Sequence, residues 1–113
     1  MMETKVVDCV RKIVELLVAG RYQEIAGITQ EQRLDAQSIE KAISDYGRQL
    51  EMPPEKEFDL LDVVKVENAE RPQFSVRMQL WTMEEGRSDL SLELALTKKN
   101  DDYLVEVDDI HVL

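Results

Sequence analysis

His111 is the only histidine of the chain, Cys9 its only cysteine and Trp81 its only tryptophan. An imidazole beside a carboxylate keeps one ring nitrogen protonated, and can then pass a proton or grip a ligand. Alternation along the second half of the chain predicts such a neighbour. Trp81, Asp89 and His111 fall into one row across three strands, with Asp108 and Asp109 beside it. The row has a plainer reading, a solvated sheet face on which Asp89 and His111 form an ordinary cross-strand pair. Structure or partner contact is therefore the leading expectation, ahead of catalysis. A tryptophan among Arg77, Gln79 and Ser91 is a typical interface anchor, although packing beneath a loop accounts for it equally well.

Other chemistry finds less support. Glu84, Glu85, Asp101, Asp102, Asp108 and Asp109 are paired acids near strand ends, but no Asp-x-Asp-x-Asp-Gly series arranges oxygens for calcium. They read as solvated turns that could meet a basic partner. One histidine and one cysteine, 102 positions apart, do not make a zinc cluster on their own. Neither a metal nor a cofactor is expected. Cys9 sits at the edge of an apolar helical stripe and reads as packing. No Gly-x-Ser-x-Gly, phosphate loop or dinucleotide fingerprint occurs. Tyr22, Tyr46 and Tyr103 lie on or near apolar faces, as core residues or as the lining of a pocket.

The elements that position these residues follow from periodicity. Val6, Val7, Val10, Ile13, Val14, Leu17 and Val18 recur at helical spacing, with Cys9 and Leu16 at the edge and Gly20 as the stop. A short helix is predicted over Tyr22 to Ile28. A third runs from Ala36 to Tyr46, with Asp35 as N-cap and Gly47 as terminator. Met52-Pro-Pro54 then breaks the chain, and the period changes to two. Strands are predicted over Leu61 to Asn68, Phe74 to Met83, Arg87 to Leu96 and Tyr103 to Val112, with turns at Glu70–Gln73 and Lys98–Asp102.

The central hairpin can be given a register. With Glu84-Glu85-Gly86 as a three-residue loop and Gly86 left-handed, Leu80 faces Leu90, Met78 faces Leu92, Val76 faces Leu94 and Phe74 faces Leu96. All eight are apolar. The opposite side then pairs Arg77 with Glu93, Gln79 with Ser91 and Trp81 with Asp89. A slip of one residue would set leucines against Gln79 and Arg77, so the register is well determined. The last hairpin is expected to place Leu96, Leu94 and Leu92 against Tyr103, Val105 and Val107. A bulge at Asp108–Asp109 then brings Ile110 and Val112 inward and His111 beside Asp89.

These elements make one α+β domain over residues 1–113, helical over 1–50 and an antiparallel four-stranded sheet over 58–113, with the helices on one face. At 113 residues the chain holds one core. Its net charge of −10 is uneven: 13 acids against 6 bases over 58–113, and 11 against 8 before them. Such a field repels phosphate backbones and anionic lipid and steers basic partners inward, so neither nucleic acid nor membrane is an expected partner. No apolar run reaches the roughly 18 residues of a spanning helix. Met1-Met-Glu-Thr-Lys5 lacks the order of a secretory signal, and one cysteine precludes an internal disulfide, which together predict a cytoplasmic protein.

Three helices before a curved sheet, with Ala19-Gly-Arg-Tyr-Gln-Glu-Ile25 at the first junction, resemble a cystatin-like or nuclear-transport-factor-2-like cone. More specific are Ser44-Asp-Tyr-Gly47, Met52-Pro-Pro54, Leu80-Trp-Thr82, Glu84-Glu-Gly-Arg-Ser-Asp-Leu90 and Asp108-Asp-Ile-His-Val-Leu113. That stretch is similar to a family of short, stand-alone, uncharacterised bacterial domains, which implies bacterial origin and fold, and no activity. Small acidic cones also recur among immunity proteins that neutralise polymorphic and contact-dependent toxins, an analogy of fold.

The leading expectation is thus a non-enzymatic immunity protein that occludes the cleft of a basic toxin domain. Its contact face would be Arg77, Trp81, Asp89, Glu93, Asp108, Asp109 and His111, with Glu84, Glu85 and Arg87 at the rim. One alternative is a ligand-binding or enzymatic cone with a pocket lined by Tyr22, Tyr46 and Tyr103. Another is a homodimer joined through the outer sheet face.

Overall fold

The structure is a computed structural model that describes residues 4–29 and 34–113. Met1–Glu3, part of the segment read for a secretory signal, lie outside the described residues. Helix α1 (Thr4–Val18) buries Val6, Val10, Ile13, Val14, Leu16 and Leu17. It ends where Gly20 turns left-handed (φ 72°), with Gly20 N–H on Leu17 O and Arg21 N–H on Leu16 O. That pair of bonds satisfies carbonyls the helix would otherwise strand. Helix α2 (Tyr22–Thr29) follows, then α3 (Ala36–Tyr46). Asp35 caps α3 by accepting the Ser38 N–H at 2.8 Å, and Gly47 closes it at φ 75°. Both caps stand where the sequence places them.

Beyond the helices the chain forms five antiparallel strands, one more than predicted. They are β1 (Leu50–Glu51), β2 (Asp62–Lys65), β3 (Gln73–Thr82), β4 (Gly86–Lys99) and β5 (Asp102–Val112). Strands β1 and β2 both pair with β3, and β4 and β5 complete an open sheet that does not close into a barrel. The extra strand is two residues long and pairs Leu50 with Thr82 and Glu51 with Trp81, too short to show a period. A 3-10 helix, Glu55–Leu60, follows the two prolines and spans the gap between β1 and β2 along the β3 edge. The predicted first strand shrinks to four residues, and Asn68 is left-handed at φ 63°.

The inner row of the central hairpin is as predicted from Phe74 to Met78: Phe74, Val76 and Met78 pair with Leu96, Leu94 and Leu92, whereas Leu80, expected opposite Leu90, falls at a register shift. Together with Leu80, Leu90, Val105, Val107 and Ile110 this row packs on Val10, Ile13, Val14, Leu17, Ile25 and Ile39 from the helices. Each such aliphatic side chain, fully buried, contributes about 1.5–3 kcal/mol. The inward side of the sheet is therefore filled with side chains. No helix among the described residues is long and apolar enough to cross a membrane.

The last hairpin differs by two residues. Lys99 pairs with Asp102, Lys98 with Tyr103, Leu96 with Val105 and Leu94 with Val107. The cause is a tight turn on Asn100 (φ 57°) and Asp101, where the sequence suggested a five-residue loop. Asparagine tolerates the left-handed conformation that two-residue turns require. A shift of two keeps every side chain on its expected face. The predicted bulge does occur, at Asp108, because Val107 pairs with Leu94 and Asp109 with the adjacent Glu93.

Candidate functional site

The outer face of the sheet, away from the helices, carries the chemistry, but in a different grouping from the predicted row. Between the pairs Gln79–Ser91 and Trp81–Arg87 the register shifts. Strand β3 spends one residue there, Leu80, while β4 spends three, Ser88, Asp89 and Leu90. Ser88 makes this bulge. It is buried, its hydroxyl donates to Leu80 O at 2.7 Å, and it accepts the Leu90 N–H at 3.1 Å. Gln79 Nε2 adds a bond to Ser88 O at 2.9 Å. The hairpin loop accordingly becomes Met83-Glu84-Glu85, with Thr82 opposite Gly86. Gly86 is left-handed (φ 76°), as expected.

Consequently Trp81, Asp89 and His111 do not form a row. Trp81 lies opposite Arg87, His111 opposite Ser91, and Asp89 stands exposed on the bulge, its carbonyl accepting Leu113 N–H at 2.9 Å. Two clusters replace the row.

The first centres on Glu57, which the sequence reading did not select. Glu57 is 6% exposed, at the middle of the 3-10 helix. Its Oε1 accepts the Trp81 indole N–H at 3.1 Å, and its two oxygens take Arg87 Nη2 at 2.6 and 3.0 Å. Trp81 is half-buried under this bridge, so packing beneath a neighbouring segment is the alternative that the structure selects over an exposed anchor. Phe58, next along the chain, enters the core and receives Arg11 over its ring at 4.9 Å.

The second is a charge row across four strands: Asp62, Arg77, Glu93 and Asp109 stand directly opposite one another in turn. Arg77 meets Glu93 at 2.7 Å, the cross-strand pair that the register predicts. Asp109 Oδ2 lies 3.0 Å from His111 Nδ1, and Asp109 Oδ1 accepts the Ile110 N–H at 2.9 Å. Between the clusters lies a shallow cleft of about 260 Å³, lined by Glu57, Asp62, Arg77, Gln79 and Arg87, with exposed Leu60 and Leu113 at its rim.

The predicted rim acids Glu84 and Glu85 are exposed and bond to neighbouring elements. Glu85 accepts the Tyr46 hydroxyl at 2.9 Å and the Thr82 hydroxyl at 3.0 Å. Glu84 accepts the Gln49 N–H at 3.1 Å. They tie the hairpin tip to the end of α3. Partial burial and the Glu85 carboxylate hold the Tyr46 phenol above its usual pKa.

The three tyrosines do not share one pocket. Tyr22 borders a cleft of about 320 Å³ between α2 and α3. Tyr46 borders a groove of about 480 Å³ between α3 and the ends of β4 and β5, together with His111. Tyr103 packs edge-on against Phe74, ring centres 6.1 Å apart. Cys9 is half-buried, and burial first, then Asp8 and Asp102, pushes its thiol pKa up. Those are the surroundings of a packing cysteine.

Residues 14–113 match the model of a family described as Domain of unknown function (DUF7668). The chain belongs to that family. No curated protein and no solved structure matches the chain. The family covers α2, α3, the whole sheet and both outer-face clusters.

Proposed function

We propose that this DUF7668 chain is a non-enzymatic protein-binding domain that uses its outer sheet face, most concretely an immunity protein that occludes the cleft of a basic toxin domain. The observation that carries the reading is the cleft between the two clusters. Arg77 and Arg87 are held there by carboxylates while Leu60 and Leu113, 66% and 62% exposed, stand at its edge. Apolar side chains around oriented guanidinium groups are the composition of a recognition surface. Exposed Val64 and Leu104 extend it, Val64 opposite Ser75 on β3 and Leu104 opposite Thr97 on β4.

The sheet's inner side supports the same reading against a ligand-binding cone. Leucines, valines, Met78 and Ile110 fill it, the cleft at Tyr22 lies between α2 and α3, and the groove at Tyr46 lies beside the ends of β4 and β5. A net charge of −10 supplies the long-range attraction for a basic partner and raises the rate of encounter. Trp81 serves this face as its floor: it fixes Glu57, and Glu57 fixes Arg87.

The test is a titration of the captured partner against the wild-type chain and against Leu60→Asp. A new charge on an exposed apolar contact should weaken binding at least about tenfold if the residue lies in the interface. Val112→Asp, at the α3 groove, should leave affinity unchanged. The reverse pattern would move the interface to the helical side.

A further inference from the structure

Three donor side chains on the outer face come together beside that cleft, and only one of them, Glu93, which holds Arg77, enters that reading. Glu93 and Asp109 lie directly opposite each other, and His111 lies opposite Ser91 on the same face. Two carboxylates directly opposite across antiparallel strands repel. Positive charge has to offset them, and Arg77 does so on one side only: its Nε and Nη2 both reach Glu93 Oε1, at 2.9 and 2.7 Å. Asp109 Oδ1 is held by the Ile110 N–H. Each carboxylate thus has one oxygen oriented by a protein donor, and the other oxygen of Asp109 lies 3.0 Å from His111 Nδ1. Outer-shell bonds of this kind position metal ligands. One ligand atom each from Glu93, Asp109 and His111 lie within 4.8 Å of one another.

The neighbouring polar atoms give an independent observation. His111 Nδ1 is buried and makes no hydrogen bond, although Asp109 Oδ2 is 3.0 Å away, because that oxygen lies off the line of a ring N–H. Two donors placed tetrahedrally about one zinc ion, each roughly 2.1 Å from it, stand about 3.4 Å apart, so this pair has only to open slightly to share one. Beside them Ser91 is 0% exposed and its hydroxyl has no partner. It stands on the same face, directly opposite His111 and two residues from Glu93. A fully buried hydroxyl without a partner calls for a reason, and a water on a bound ion supplies one.

We propose that Glu93, Asp109 and His111 bind one divalent transition-metal ion. Zinc fits one imidazole and two carboxylates, whereas calcium and magnesium take oxygen ligands and gain nothing from the imidazole. The three ligands leave a coordination position for water, or for a donor from outside the chain. The proposal does not rest on the protein-binding reading.

The experiment is calorimetric titration of the tag-free, chelator-treated chain with zinc chloride, followed in parallel by the imidazole nitrogen resonances. With one histidine, those resonances report one residue. One equivalent of zinc should bind, and the His111 signals should move and saturate at that ratio. His111→Ala and Glu93→Gln should each weaken binding at least about tenfold, and Cys9→Ser should not. Glu93→Gln is nearly isosteric, so it decides the matter even if His111→Ala misfolds. Imidazole signals that stay put under excess zinc would overturn the proposal. Zinc binding that survives His111→Ala and Glu93→Gln, or that disappears with Cys9→Ser, would overturn it as well.

Discussion

The Trp81 indole N–H and the Arg87 guanidinium both bond to Oε1 of Glu57, at 3.1 and 2.6 Å. This one buried oxygen ties the 3-10 helix to two strands. Truncating Glu57→Ala strands a half-buried indole donor and releases Arg87. The cost should be about 1–3 kcal/mol, the usual cost of an unsatisfied buried polar group. Urea unfolding measures it, and Glu57→Gln, which keeps an acceptor for Trp81, should lose less. Equal losses in the two variants would show that the bridge acts through charge alone.

Gly86 is left-handed at φ 76°, and a Cβ added there would lie 3.6 Å from the Trp81 ring, an ordinary contact. The strain is therefore in the backbone. Gly86→Ala should destabilise by about 1–2 kcal/mol, and Gly86→Asn by less, as read from unfolding midpoints. A neutral Gly86→Ala would place the turn in another conformation.

Asp35 accepts the Ser38 N–H at the start of α3, and that bond lowers its carboxyl pKa. A lowered folded-state value means the contribution is present above the unfolded value of about 3.9 and disappears as pH falls through the folded one. The difference in melting temperature between wild type and Asp35→Ala should be full at neutral pH and shrink below about pH 4. A difference independent of pH would remove the charge from the cap.

Cys9 has a raised thiol pKa, chiefly from burial, with Asp8 and Asp102 adding to it. Less thiolate is then present at mildly alkaline pH than in a free cysteine. Alkylation by iodoacetamide at pH 8 should run several-fold slower than for a cysteine in a short peptide, and denaturant should remove the difference. Fast modification of the folded chain would contradict the packing role.

The parts of the fold that were legible are those that local pattern determines. The row from Phe74 to Met78 could only face leucines, and Asp35 and Gly47 are end signals that act within one turn. What was not legible depended on contacts far along the chain or on single side chains. Ser88 interrupts the leucine row from the inward side, and that polar residue was the one local sign of the bulge that separates Trp81 from Asp89. Asn100 made the last turn two residues long. Glu57 reaches Trp81 and Arg87 across 24 and 30 positions, a link for which periodicity has no signal. The candidate site therefore kept the Arg77–Glu93 pair and the bulge beside His111, while its partners changed.

The central claim, that the outer face binds a protein, is tested most directly by native mass spectrometry of the tagged chain captured gently from its source cells. It should fly as a stable heterocomplex with one basic polypeptide, and Leu60→Asp combined with Leu113→Asp, both at exposed positions of the cleft, should leave the chain folded but alone. A wild-type chain recovered only as a monomer, as a homodimer or with a small-molecule mass shift would contradict it.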